Sequence, residues 1–385
     1  MNAADVPPGQ DERRTRLLTA KLRGLLGDHL GESSSGGDAA GVLPDEIAAL
    51  EVAAVPGGVA ATVGGTAWLL VDGAAERSLG PALAWASRRE VGSIGLIADD
   101  ALGLLARRAA SFGIPISIWT SEGRRVIRVD PEPLGSPDPP PAEHLALAGL
   151  IEEAGADVNV EHGVVTGEVR GLEVCRVVDT PTTGRLLEQT PGGELVPLGS
   201  SMEPQNGDRP TAVPADGEVF LEVGVGAHDR EAFQLLHGDV PTARALSGVV
   251  ESVARHRSVE APGHPLNRMA RERLHRWHAV VDPASVGFTE LRPAAPPVER
   301  PSMKLAAPCV AVGRRTGDDV VRTVVFSSGV DLDVVPFALD AAEQQAELAG
   351  ADRAVTVALP SRDLLPVTEA IAGLAAVSVD FVRLG

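Results

Sequence analysis

The apolar residues of this chain follow the same order of strand and helix patterns twice, once near each end. The first series has strand patterns at 67–72, 94–99 and 115–120 and helix patterns at 78–90 and 100–112. The second has strand patterns at 321–328, 354–360 and 377–384 and helix patterns at 335–349 and 365–375. Short apolar runs that alternate with amphipathic helices predict parallel βαβ units. We therefore expect two Rossmann-like βαβαβ units.

Between these two series the pattern changes. It predicts a helix at 142–157, strands at 158–165, 168–179 and 218–226, and helices at 229–236 and 241–257. Strands and helices in separate runs are typical of an α+β domain. The expected fold class is therefore α/β, with two βαβαβ units flanking an α+β middle domain. The pattern leaves open whether the two units share one sheet or form separate lobes.

Stretches rich in Pro, Gly and Ser divide the chain into five segments. These are a helix with a flexible linker at 1–47, the first βαβαβ unit at 48–130, the middle domain at 142–257, a basic helix with a Pro-rich linker at 258–308, and the second βαβαβ unit at 309–385. Residues 180–217, inside the middle domain, show no apolar period, and we expect this insertion to be disordered.

Composition and charge narrow the range of partners. The formal net charge of −19 repels nucleic acids and anionic membranes over most of the surface. No run approaches the ~18 apolar residues of a transmembrane helix, and the polar N-terminal segment lacks the apolar core of a signal peptide. Cys175 and Cys309 form no metal or disulfide pattern. We expect a cytoplasmic protein that does not enter the membrane, and its oligomeric state is open.

Polar residues collect after two strands of the second βαβαβ unit, where parallel strands place their following loops side by side. They are Ser327, Ser328, Asp331, Asp333, Ser361, Arg362 and Asp363. Helix N-termini and a guanidinium group bind anions, so we expect a small anionic, phosphorylated ligand here. Asp331 and Asp333 would also suit Mg²⁺, the one cofactor that these residues suggest. The competing interpretation is that the Asp and Ser residues only cap helices.

The middle domain resembles the core of the restriction-endonuclease-like, or PD-(D/E)xK, nucleases in the order of its elements. The resemblance covers about a quarter of the chain and implies carboxylates on adjacent strands that hold Mg²⁺, with a lysine that orients water. Glu168, Glu173 and Glu222 are the candidate carboxylates. Gly224 stands where the family pattern has Lys, and the block contains no lysine. A degenerate or coincidental match is therefore the alternative.

A basic helix pattern at 265–281 is a candidate binding surface for nucleic acid. Arg268, Arg271 and Arg276 could contact a phosphate backbone beside Trp277. The acidity of the whole chain favours the alternative, in which this helix docks on acidic parts of the same protein. A third hypothesis for the chain is an interaction or scaffold protein without a catalytic site.

Several segments resemble stretches of uncharacterised proteins from actinobacteria and related high-GC bacteria. They are GLEVCRVV, LEVGVGAHDREAF, HPLNRMARERLHRW, GVDLDVVPFALDA and PSRDLLPVTEAI. The resemblance covers most of residues 65–385 and implies a bacterial cytoplasmic protein. It implies no activity, cofactor or site residue.

Overall fold

The computed structural model describes residues 10–34, 47–179, 187–189, 195–197, 219–227, 229–230, 232, 242–261, 263–300, 305–318 and 320–385. They form a mixed α/β fold, which confirms the expected fold class. None of the helices in these ranges has the length and hydropathy of a membrane-spanning segment.

The helices whose bounds are described fall in every part of the chain. They are α1 Gln10–Ser34, α2 Leu79–Ala86, α3 Leu102–Ala109, α4 Ala142–Leu145, α5 Ala148–Glu153, α6 Thr242–His256, α7 Pro265–Arg268, α8 Arg271–Val281, α9 Val334–Ala349 and α10 Pro366–Ala372. Short 3-10 helices lie at Ala75–Arg77, Pro283–Val286 and Ser361–Asp363.

The strands fall into three groups along the chain. The first group is β1 Val52–Val55, β2 Gly58–Val63, β3 Thr66–Val71, β4 Ser93–Ile97, β5 Ile116–Glu122 and β6 Arg125–Val129. The second group is β7 Asp157–Glu161, β8 Val164–Val169, β9 Leu172–Val178, β10 Leu187–Gln189, β11 Leu195–Pro197, β12 Phe220–Val223 and β13 Phe288–Ala294. The third group is β14 Cys309–Arg315, β15 Val321–Phe326, β16 Asp352–Pro360 and β17 Val379–Leu384.

The chain divides into two compact units. Unit 1 comprises the described parts of residues 1–135 and 312–385, and unit 2 comprises those of residues 136–311. Both expected βαβαβ series therefore belong to unit 1. We call residues 47–135 its N-terminal half and residues 312–385 its C-terminal half.

The N-terminal half of unit 1 is built on a six-stranded sheet in which β1 to β6 lie in chain order. Strands β3, β4 and β5 are parallel, and they are joined through α2 and α3 as the sequence predicts. Strand β6 follows β5 after a short turn and pairs antiparallel with it. The sequence patterns did not predict β1 and β2, which add an antiparallel hairpin on the other side of β3.

Helix α1 covers one face of this sheet. Its Leu22 is buried together with Trp68 and Leu70 of β3. The intervening Ala67 and Leu69 are also buried, and strand geometry points them to the opposite face. Because both faces are covered, β3 reads as a continuous apolar run, as strands of parallel sheets do.

In the C-terminal half, β15, β16 and β17 are parallel neighbours. Helix α9 connects the first two and α10 the last two, so this half also contains the expected βαβαβ unit. The structure answers the question that the sequence left open, because the two βαβαβ series form separate sheets within one compact unit.

The two halves of unit 1 meet through their helices. Helix α9 contacts α2 and α3, and α10 contacts α2. Gly80 permits the closest approach, since a Cβ there would lie 2.2 Å from the carbonyl oxygen of Leu332. A β-bridge between Phe112 and Ala375 joins the chain just after α3 to the chain just after α10.

In unit 2 the observed strands differ from those predicted for the middle domain. The two runs expected at 158–165 and 168–179 form three strands, β7, β8 and β9. Turns break them at His162–Gly163 and Arg170–Gly171, where all four residues have positive φ. Non-glycine residues rarely adopt this conformation, so His162 and Arg170 gave no turn signal. The resulting sheet is antiparallel in the order β12-β9-β8-β7.

Two predicted helices of unit 2 are interrupted. The helix expected at 142–157 forms the short helices α4 and α5. The basic helix expected at 265–281 forms α7 and α8, because Ala270 between them has a φ of 45°. Within the insertion at 180–217, β10 and β11 pair as a hairpin where we expected disorder, and the other residues of the insertion lie outside the described ones.

Candidate functional site

The strand ends of the C-terminal half lie side by side, as their parallel arrangement requires. The loop that begins at Ser327 and Ser328 meets the segment after β16, where the carboxylate of Asp363 accepts a 2.7 Å hydrogen bond from the Gly329 N–H. Ser327 is buried and donates its backbone N–H to Ala358. The Asp363 carboxylate therefore already occupies the Gly329 N–H, a backbone donor that an anionic ligand would need.

Asp331 and Asp333 connect this loop to the N-terminal half. The Asp333 carboxylate accepts a 2.9 Å hydrogen bond from the Gly80 N–H, near the start of α2. Asp331 accepts a 3.0 Å hydrogen bond from the Asp333 N–H and lies 3.2 Å from the guanidinium of Arg77. These contacts differ from the capping interpretation, because Asp333 makes no side-chain capping hydrogen bond to α9, the helix that follows it, and binds the Gly80 N–H of α2 instead. The backbone donors that would hold an anion are bound to carboxylates.

Burial changes the chemistry of Asp333. It raises the pKa of this carboxyl to about 7, and the nearby Asp331 raises it further, while the Gly80 N–H, Arg108 and Arg77 act in the opposite direction. A buried carboxyl that stays protonated up to neutral pH is a weak metal ligand, because metal binding requires the carboxylate.

Ser361 and Arg362 lie at the surface of this region. The Ser361 hydroxyl lies 3.4 Å from the carbonyl of Leu384. The Arg362 side chain is 67% exposed and lies 3.7 Å from an oxygen of Asp363. Arg362 is therefore a surface residue paired weakly with its neighbour Asp363.

A second candidate site lies elsewhere in unit 1, in a partly open cavity of about 350 Å³. Its apolar walls include Ala110 and Pro131 from the N-terminal half and Leu339, Ala376 and Val377 from the C-terminal half. Because both halves contribute, the cavity depends on how their helices pack.

Charged side chains form the floor of this cavity. Asp340 of α9 is almost fully buried and binds two arginines of α3. Arg107 donates to both of its oxygens at 2.8 Å and 3.1 Å, and Arg108 donates to one of them at 3.2 Å. A buried carboxylate needs such partners, since its desolvation costs several kcal/mol.

The two arginines are held differently. Burial acts to lower the pKa of Arg107, but the hydrogen bond and charge of Asp340, with a contribution from Glu132, raise it overall. Arg108 also lies over the ring of Phe337 at 5.8 Å. The guanidinium group of Arg107, which lines the cavity, therefore stays charged.

The rim of the cavity is more exposed than its floor. Arg353 and Glu343 form a 2.8 Å salt bridge there, with side chains 64% and 36% exposed. Exposed pairs of this kind contribute about 0–1 kcal/mol and can rearrange. The hydroxyl of Ser111 adds a neutral polar group to the lining.

No sequence pattern indicated this site. Arg107 and Asp340 are 233 positions apart, and no local motif connects them. The available signal was Asp340 itself, one acidic residue inside the apolar run VVPFALDAA of α9. A charge in such a run requires a buried partner, but the sequence does not say which.

The carboxylates expected for nuclease chemistry are each paired with arginine. Glu173 binds Arg176 and Arg230, and Glu222 lies 3.4 Å from Arg230. Glu168 binds Arg273 and Arg276 of α8. Within the described ranges, no group of three or more His, Cys, Asp or Glu residues is placed to hold a metal ion.

Glu168 belongs to a closed box of four buried charges. Arg273 and Arg276 each bind both Glu161 and Glu168, and Asn159 also donates to Glu168. Burial opposes ionisation of Glu161, but Arg273 and Arg276 together lower its pKa to about 2. The box fixes α8 against β7 and β8.

The box of paired charges contradicts the prediction that the arginines of the basic helix bind nucleic acid together. Arg276 is buried, so it faces the interior of unit 2 and supports the alternative in which the basic helix docks on acidic parts of the same protein. Arg268 is exposed and Arg271 is partly buried. The three arginines do not form one surface.

Replacing Arg276 with Met should lower the free energy of unfolding by about 3–5 kcal/mol, because Glu161 and Glu168 would lose a buried partner. Urea unfolding at neutral pH measures this loss. Arg268→Met is the matched control and should change stability by less than about 0.5 kcal/mol, since Arg268 is exposed. A loss below about 1 kcal/mol for Arg276→Met would show that the box does not stabilise unit 2.

Replacing Asp333 with Asn should stabilise the protein in a pH-dependent way. The folded-state pKa of about 7 lies above the ordinary value, so wild-type stability falls as pH rises from about 4 to about 7. Asn keeps the acceptor for Gly80 but does not titrate. The melting temperature of the variant, minus that of wild type, should rise over this pH range and then level off.

The control for this comparison is Asp331→Asn. It removes a carboxylate from the same loop but keeps Asp333 in its buried place, so the fall of stability with rising pH should persist, reduced only by the contribution of Asp331 to the raised pKa of Asp333. A difference between Asp333→Asn and wild type that stays constant from pH 4 to pH 8 would contradict the assignment.

Comparison of the chain with protein-family models, with curated proteins and with solved structures finds no match.

Proposed function

We propose that this protein binds a small anionic molecule in the cavity between the two halves of unit 1. The observation that carries the proposal is the cavity floor, where Arg107 and Arg108 share the single buried carboxylate of Asp340. These three buried groups carry one excess positive charge, which the half-exposed carboxylate of Glu132 balances through Arg107. An anionic ligand would take over this role in a partly desolvated setting, where electrostatic attraction is strong.

The size and lining of the cavity support a small-molecule ligand. Its volume of about 350 Å³ lies within the ~300–1,000 Å³ of ordinary ligand pockets. Such pockets are mostly apolar with a few convergent polar groups. Apolar side chains from both halves and the polar groups of Arg107, Ser111 and Arg353 follow this pattern.

This proposal keeps the anionic ligand expected from the sequence but moves its site. At the strand ends, the backbone donors near Asp333 and Asp363 already bind carboxylates. An anion there would have to displace both side chains from these N–H groups. At the cavity floor an anion would have to displace only the half-exposed Glu132 from Arg107.

The cytoplasm is the compartment that the proposal assigns. Cys175 and Cys309 are buried free thiols, and burial raises the pKa of each to about 12. Unpaired cysteines of this kind are typical of reducing compartments.

Binding should appear as ligand-linked stabilisation. We expect benzoate, hexanoate or inorganic phosphate at saturating concentration to raise the melting temperature by a few degrees. Ala110→Leu narrows the cavity at an exposed position and should abolish the shift without lowering the melting temperature of the ligand-free protein. Isothermal titration calorimetry provides the affinities.

Ala370→Leu is the matched control, because Ala370 is an exposed residue of α10 that does not line the cavity. It should bind as wild type does. The proposal fails if none of the three anions shifts the melting temperature, or if Ala110→Leu responds to them as wild type does.

A further inference from the structure

A carboxylate of the protein itself already lies beside the proposed anion site. The side chain of Glu132 forms a 2.8 Å salt bridge with Nη1 of Arg107. Pro131, the preceding residue, lines the cavity. Glu132 is 49% exposed, whereas Arg107 is 13% exposed. The exposed partner of this pair can therefore be reached and replaced from solvent.

The backbone of Glu132 is fixed, and its carboxylate is the part that can move. The Glu132 N–H donates a 3.2 Å hydrogen bond to the carbonyl of Gly103 in α3. A Cβ on Gly103 would lie 2.7 Å from Oε2 and 2.8 Å from the Cβ of Glu132, so this glycine leaves room for the side chain, including its carboxylate. The carboxylate end extends from this anchor to Arg107.

The hydrogen bonds of Arg107 define what can replace Glu132. Its Nε and Nη2 are bound to Asp340, and its Nη1 donates to both Glu132 and the carbonyl of Pro133. The hydrogen bond from Nη1 to Glu132 is therefore the one that a ligand can take over. One oxygen of the Glu132 carboxylate accepts it in this structure.

The charge of these residues and the apolar lining of the cavity both favour a ligand with a single negative charge. Arg107, Arg108 and Asp340 leave one excess positive charge, which a monoanion balances and a dianion exceeds. The remaining walls are made mainly of alanine, proline, leucine and valine side chains. They suit an apolar body rather than a second charged group.

Resting on the proposed function, we propose that Glu132 is an internal occupant of the anion site. The ligand is a small carboxylic acid with an apolar body, and its carboxylate displaces that of Glu132 from Arg107. Wild-type affinity is lowered by this competition, because the Glu132–Arg107 pair must open before the ligand binds.

Glu132→Gln tests the displacement, because it keeps the shape of the side chain and removes its charge. Since an exposed ion pair is weak, we expect benzoate and hexanoate to bind the variant about threefold to fivefold more tightly than wild type. Benzamide, the neutral analogue of benzoate, should show no such gain. Isothermal titration calorimetry at fixed ionic strength measures these ratios.

Asp130→Asn is the control for a general change in charge, since Asp130 is exposed and lies two residues from Glu132. It should leave benzoate affinity unchanged. If wild type binds benzoate and Glu132→Gln binds it no more tightly, the displacement is overturned and the proposed function stands.

Two further outcomes distinguish failure of the proposed ligand class from failure of the proposed function. Binding of inorganic phosphate but of neither carboxylate would overturn the carboxylic-acid class and leave the proposed function in place. If neither wild type nor Glu132→Gln binds any of the three anions, the inference and the proposed function both fail.

Discussion

The buried carboxylate of Asp340 is the constraint on which the account of unit 1 depends. It lies on α9 and binds Arg107 and Arg108 of α3, so it joins the two halves through charge-assisted hydrogen bonds. A buried carboxylate without these partners would be strongly destabilising. The same contacts position the arginines at the cavity floor. Packing of the halves and the chemistry of the candidate site are thus consequences of one interaction.

In unit 2 the buried carboxylates are also paired with arginines, but there the pairs stabilise the unit itself. Glu161 and Glu168 share Arg273 and Arg276 in a closed, buried box. The pairs neutralise each other, so the basic helix stabilises this unit from within. In unit 1, Arg107 and Arg108 meet one buried carboxylate, Asp340, and one half-exposed carboxylate, Glu132. The difference from the closed box is therefore one of exposure, because the Glu132 carboxylate is open to solvent.

Local patterns predicted much of the fold. The parallel strands and connecting helices of both βαβαβ series follow from apolar periodicity. The turns at His162 and Arg170 escaped prediction because these two residues have a positive φ although they are not glycine. The candidate site was missed because its residues are distant in sequence. Arg107 and Asp340 meet only after the two halves pack, whereas Asp331 and Asp333, which local patterns selected, bind Arg77 and the Gly80 N–H.

The central claim is that Asp340 and the arginines of α3 are energetically coupled across the two halves. A double-mutant cycle with Arg107→Met and Asp340→Asn, followed by urea unfolding, measures this coupling directly. The account predicts a coupling free energy of about 2–3 kcal/mol, as found for contacting residues in one buried network. A value below about 0.5 kcal/mol would contradict it, because the two residues would then stabilise the fold independently.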